Sequence, residues 1–147
     1  MNIRQIRFLI LLWVAVISLA VMPALCEAGN GPDLVISAIQ VYPQHPVRPK
    51  AGTPFTVQVY VANVGGAVSG QYDIALFIRD VVRGSTYPIG TFRKEPMKPG
   101  EDYPVYSSND RMVNEPGFYR VYAEIKPFLF EDAKPENNTL VYGFVVE

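Results

Sequence analysis

A period of two runs through this chain wherever its apolar residues are dense, and a helix cannot accommodate it. Phe55, Val57, Val59 and Val61 fall on one side of an extended segment, with Thr56, Gln58, Tyr60 and Ala62 on the other. The same alternation returns at Tyr72, Ile74, Leu76 and Ile78, and again at Tyr119, Val121, Ala123 and Ile125. Proline, glycine and asparagine fill the gaps, residues that end strands and turn the chain. Each segment therefore has one face to bury, and burying it takes a second sheet rather than a helix.

The rest of the chain fits this pattern. Leu34 and Ile36 share a side, but Ile39 and Val41 are one residue out of phase with them, so a β-bulge is expected near Ser37 and Ala38. The first strand should bend there, with a change of sheet as one outcome. Pro43 to Pro49 reads as a proline-rich turn, and Asn63-Val64-Gly65-Gly66 as a strand end whose residues tolerate positive φ. Pro88 to Phe92 is extended, Met97 to Glu101 is a turn, and Pro99-Gly100 suits the centre of a type II turn. Tyr103 to Ser107 contains Pro104, which cannot donate to a ladder, so this segment should lie at a sheet edge. Lys126 to Pro135 forms a long loop, and Thr139 to Val146 is an almost wholly apolar final strand. Seven strands with turn signals about every 8 to 12 residues predict an all-β fold, a seven-stranded immunoglobulin-like β-sandwich.

The N-terminus obeys different rules. Arg4 and Arg7 precede an uncharged apolar run from Phe8 to Met22, and small residues follow at Ala24 and Ala28. These are the three parts of a signal peptide, and the run is shorter than the ~20 residues of a membrane span. Residues 1–28 are read as the signal, cleaved after Ala28 or after Cys26, and residues 29–147 as one domain. An uncleaved signal or a lipidated Cys26 would be the only routes to a membrane. Leu25 occupies the place before Cys26 where a lipidation site has a small residue. The expected location is secreted, periplasmic or at the cell surface. Taking Arg4, Arg7 and Glu27 from the chain's 13 basic and 14 acidic residues leaves 11 against 13, or −2. With no basic cluster, nucleic acid is not an expected partner. Cys26 is the only cysteine, so the domain has to stand on hydrophobic burial without a disulfide.

Six short stretches, in order, resemble the CARDB module, the cell-adhesion-related domain found in bacteria. They are Pro32-Asp33-Leu34-Val35-Ile36, Ala51-Gly52-Thr53-Pro54-Phe55-Thr56-Val57, Asn63-Val64-Gly65, Met97-Lys98-Pro99-Gly100-Glu101, Gly117-Phe118-Tyr119 and Glu136-Asn137-Asn138-Thr139. The resemblance implies a seven-stranded sandwich of surface or secreted proteins, assigned to adhesion or protein interaction and without enzymatic activity. Such modules usually stand in series inside larger proteins. Lys126-Pro127 stands where an Asp-Pro is common, so the resemblance carries no acidic ion site to that position. Tyr119, two residues before Val121, has the spacing of a tyrosine corner, with valine in place of the cysteine of antibody domains.

Chemistry is sparse along the chain. His45 is the only histidine and lies among Pro43, Pro46 and Pro49, with no partner set for a zinc site or a Ser-His-Asp triad. No catalytic, cofactor-binding or metal residues are assigned, and no cofactor is expected. Glu131, Asp132, Glu136 and Asn137 offer oxygen atoms, but Lys134 sits among them and EF-hand spacing is absent, so they read as a solvated loop. Phe128, Leu129 and Phe130 must either fold under the sandwich or meet a partner, and form the candidate contact loop. Tyr60, Phe77 and Tyr122 point away from the inferred core and form a candidate aromatic platform. The expected function is that of an exported, non-enzymatic module making protein contacts at the cell envelope or outside the cell. The alternative is a carbohydrate-binding accessory domain that stacks polysaccharide on the outward aromatics.

Overall fold

The computed structural model describes residues 30–147; the expected signal, residues 1–28 with Cys26, lies outside them. Seven strands follow in order: β1 (Leu34–Tyr42), β2 (Phe55–Asn63), β3 (Tyr72–Asp80), β4 (Thr86–Lys94), β5 (Asp102–Arg111), β6 (Gly117–Pro127) and β7 (Thr139–Val146). All pair antiparallel, in a three-stranded sheet of order β1-β2-β5 and a four-stranded sheet of order β4-β3-β6-β7. One 3-10 turn, Pro135–Asn137, interrupts the β6–β7 loop.

The two inner faces are those given by the period of two. Phe55, Val57, Val59 and Val61 from β2 meet Tyr72, Ile74, Leu76 and Ile78 from β3 and Tyr119, Val121, Ala123 and Ile125 from β6 in one buried cluster. In β1 the pairing with β2 slips between Ile36 and Ala38, so Ser37 is the extra residue and both halves keep their apolar side chains inward. The strand does not change sheets there, because it stays paired with β2 along its whole length. Pro104 lies in β5, at the outer edge of its sheet, as expected.

The tyrosine corner is present: the Tyr119 hydroxyl donates to the Glu115 carbonyl at 2.7 Å, and its ring is fully buried. Burial also pushes the Tyr119 phenol up from its ordinary pKa. The turn at Pro99-Gly100 closes with Glu101 N–H donating to Lys98 C=O at 3.1 Å, and Gly100 has the φ of +79° that a type II turn requires.

The end of β2 corrects one expectation. Neither Asn63 nor Gly65 or Gly66 has positive φ. Asn63 is fully buried and its amide joins three segments: Oδ1 accepts from the N–H of Gly65 (3.1 Å) and Asp33 (3.3 Å), and Nδ2 donates to the carbonyls of Ala67 and Met97 (both 2.9 Å). Gly65 is required for closeness, since a Cβ there would lie 2.4 Å from the Gly31 carbonyl oxygen and 2.5 Å from the Asp33 nitrogen. Met97 plugs the same end of the sandwich, fully buried, with the Tyr72 hydroxyl donating to its sulfur at 3.2 Å.

Candidate functional site

The β6–β7 loop is fixed at both flanks and open at its tip. On one flank, the Phe128 N–H donates to the Gln71 carbonyl at 3.0 Å, next to the pairing of Tyr72 with Pro127. On the other, the Asp132 carboxylate accepts from the N–H of Leu34 and of Lys134, both at 2.9 Å, and the Ala133 N–H donates to the Pro32 carbonyl at 2.8 Å. The Asn137 Nδ2 donates across to the Asp33 carboxylate at 2.8 Å. The Lys134 ammonium stands 3.7 Å from the other oxygen of Asp33. Of the acidic stretch, Asp132 and Asn137 are thus occupied in tying the loop to the start of β1, while Glu131 and Glu136 are exposed.

Between these flanks the three apolar residues part company. Phe130 folds under, packing against the core cluster and over Gly70, where a Cβ would come within 2.7 Å of the ring. Phe128 stays 40% exposed, with the Arg93 guanidinium 4.0 Å from its ring centre. Arg93 is itself held by a two-pronged ion pair with Asp73, its cross-strand partner. That hydrogen-bonded pairing holds the Asp73 carboxyl below its ordinary pKa and pushes the guanidinium up. Leu129 is 90% exposed and has a φ of +61°, the one non-glycine residue with positive φ among those described. Val64 and Val68 are exposed on the β2–β3 loop at the same end of the sandwich. The sequence gives no sign of Arg93, because its place beneath Phe128 depends on β4 pairing with β3.

The aromatic platform divides. Phe77 and Tyr122 are direct cross-strand partners on the outer face of the four-stranded sheet, stacked with ring centres 4.7 Å apart and planes 6° from parallel. Val141 continues their row onto β7. Tyr60 does not join them: β2 belongs to the three-stranded sheet, so Tyr60 faces the opposite side of the sandwich, where its hydroxyl meets Gln58 at 3.3 Å. Stacking also hides one face of each remaining ring. His45 is exposed in the β1–β2 loop, beside a cleft of about 220 Å³ against β7. Among the described residues no helix is long and apolar enough to cross a membrane.

No family model matches the sequence, and no curated protein matches it significantly. Solved structures do match. The CARDB domain of a Pyrococcus furiosus protein, solved in complex with di-metal ions, superposes with a TM-score of 0.59 at 17% identity, over 82% of this chain and 97% of that one. This chain has the CARDB fold. A second domain with that architecture comes from a Methanosarcina acetivorans protein provisionally assigned to the cell surface, with a TM-score of 0.58 at 18% identity, over 79% of this chain and 92% of that one. A β-glucosidase of Erythrobacter marinus matches at 0.52 and 19% identity over 79% of this chain, which spans only 16% of the enzyme. Within the CARDB fold, the Phe128–Phe130 loop joins the last two strands of the larger sheet, and the Phe77–Tyr122 pair lies on that sheet's outer face.

Proposed function

We propose that this chain is an exported, non-enzymatic module that presents the tip of its β6–β7 loop to a protein partner at the cell envelope or outside the cell. The observation that carries this reading is Leu129. A leucine in the left-handed region costs about 1–2 kcal/mol that glycine would not incur, and this side chain is too exposed for packing to offset the cost. Phe128 stands beside it, its ring placed by Arg93, which Asp73 holds in turn, so that half of the apolar tip is positioned before any partner arrives. Phe130 belongs to the foundation of the loop rather than to its contact surface. Support for a surface setting comes from the Methanosarcina domain that shares the fold.

The test is a photo-crosslinking side chain placed at Leu129 of the exported chain, with Val82, exposed on the β3–β4 turn, as control. One protein should be captured stoichiometrically from position 129 and not from 82. Adding Phe128→Ser to the chain that carries the crosslinker at 129 should abolish that capture, and Leu129→Gly, made in the parent chain, should bring no loss of thermal stability, since it relieves a strained φ at a site without packing. Capture that is equal from both positions, or unaffected by Phe128→Ser, would rule the reading out.

A second reading rests on the outward Phe77–Tyr122 pair: a carbohydrate-binding accessory role. The occurrence of this fold within a β-glucosidase lends it support. Retardation in gels cast with soluble polysaccharide, lost in Tyr122→Ala, would favour it over the protein contact. We do not extend the metal ions of the Pyrococcus domain to this chain. Asp33 and Asp132 already bond Asn137, Leu34 and Lys134, and an ammonium stands beside Asp33.

A further inference from the structure

The two sheets have four edge strands, and three of them carry devices that discourage pairing with another chain. β4 has Pro88, a slip in its register with β3 between Leu76 and Phe77, and terminal Arg93 and Lys94. β5 has Pro104, two register slips, Asp102, Asp110 and Arg111. β1 has the bulge at Ser37. β7, by contrast, reads Thr-Leu-Val-Tyr-Gly-Phe-Val-Val, without charge, proline or register slip. Val141 and Val145 are 43% and 37% exposed on its outward side.

The geometry points to β7 pairing antiparallel with β7 of a second copy of this chain, about a twofold axis through Tyr142. The Ile125 N–H donates to the Asn138 carbonyl at 2.8 Å, and this fixes the phase of the β6–β7 ladder. Alternation then directs the backbone groups of Leu140, Tyr142, Phe144 and Val146 toward β6. Those of Thr139, Val141, Gly143 and Val145 are directed away from it. In the twofold register, Val141 faces the second copy's Gly143 and Thr139 faces its Val145. Every outward N–H and C=O of the four residues then finds a partner. Sliding the register by two residues leaves one of the four unpaired in each copy.

A strand with no charge from Thr139 to Val146 brings no like-charge repulsion to a self-paired seam. Gly143 adds no side chain to the seam and is roofed by the Phe118 ring, which approaches to 2.8 Å of its ideal Cβ position. The β1–β2 loop is separated from residues 142–145 by the cleft of about 220 Å³, and its hydrogen bonds to the C-terminus go to Glu147 instead. The product is a continuous eight-stranded sheet with an isologous seam. This proposal does not rest on the β6–β7 loop contact, and Leu129→Gly should leave it intact.

The test uses the exported chain carrying Cys26→Ser, so that introduced cysteines stand alone. The twofold axis makes Tyr142 its own partner in a non-hydrogen-bonded pair, with Cα atoms about 4.5 Å apart, inside the range a disulfide spans. Tyr142→Cys should therefore run as a covalent dimer on a non-reducing gel. Val145→Cys, comparably exposed, should not, because the register holds the two copies of that residue roughly 20 Å apart. Sedimentation should give a dimer for the parent chain. Val141→Lys with Val145→Lys should weaken association by at least about tenfold while leaving the far-ultraviolet spectrum and the Leu129 crosslink unchanged. A monomeric parent, a lysine variant that stays dimeric, or equal crosslinking at 142 and 145 would each overturn the proposal.

Discussion

Replacing Asn63 by alanine should be among the most damaging single changes in this domain, although the residue touches no candidate contact surface. The side chain is fully buried and makes four hydrogen bonds, two accepted from Gly65 and Asp33 and two donated to Ala67 and Met97. Each bond contributes about 1 kcal/mol net, and any partner left buried and unpaired costs about 1–3 kcal/mol. A loss of about 4 kcal/mol is therefore expected, a large share of the ~5–15 kcal/mol of a typical domain. In urea, with a slope of about 1.5 kcal/mol per molar, the midpoint should fall by roughly 2–3 M at unchanged slope.

Asn63→Asp separates hydrogen bonding from shape. It keeps the volume and both accepted bonds but turns an oxygen toward the carbonyls of Ala67 and Met97. Burial beside those oxygens raises the folded-state pKa of the new carboxyl above its unfolded value of about 3.9. For an acid shifted upward, the folded state holds its proton longer, so the deficit relative to the parent grows as pH rises through 3.9 and above, and shrinks below it. An alanine variant within about 1 kcal/mol of the parent would refute the role assigned to this amide. So would an aspartate deficit that is the same at pH 7 and pH 4.

Gly65→Ala should cost at least about 2 kcal/mol in the same urea assay, because the clash at 2.4 Å is with backbone of the Gly31–Asp33 segment rather than with a movable side chain. Tyr119→Phe keeps the ring packing and removes the bond to Glu115, so calorimetry should register a loss of about 1–1.5 kcal/mol. Asp80 accepts from the N–H groups of Arg83 and Val82 and pairs with the Arg83 guanidinium, and these bonds hold its carboxyl below the ordinary range. With the folded pKa depressed, its stabilisation is complete above the unfolded pKa of about 3.9 and is lost as pH falls through the folded value. Asp80→Asn should therefore flatten the acid limb of a thermal-stability profile while lowering stability at neutral pH.

What could be read directly from the chain was what depends on near neighbours. The slip at Ser37, the turn at Lys98–Glu101 and the tyrosine corner at Tyr119 all rest on spacings of four residues or fewer. The Phe128–Phe130 loop was legible as a choice between packing and contact, and the structure divides that choice within the loop itself. Phe130 packs because Gly70 makes room for it, while Leu129 does not. Asn63 was legible as a strand end, but its four partners, up to 34 positions away, were not.

The sequence by itself determined the period, and with it the side of each strand that is buried, because successive side chains in an extended chain must point opposite ways. Tertiary structure alone decided which strands are neighbours, since backbone hydrogen bonds pair any strand with any other and leave little trace in residue identity. That decision placed Arg93 beneath Phe128 and set Tyr60 on the opposite face from Phe77 and Tyr122. It also left β7, an apolar run equally suited to the centre of a sheet, at an open edge.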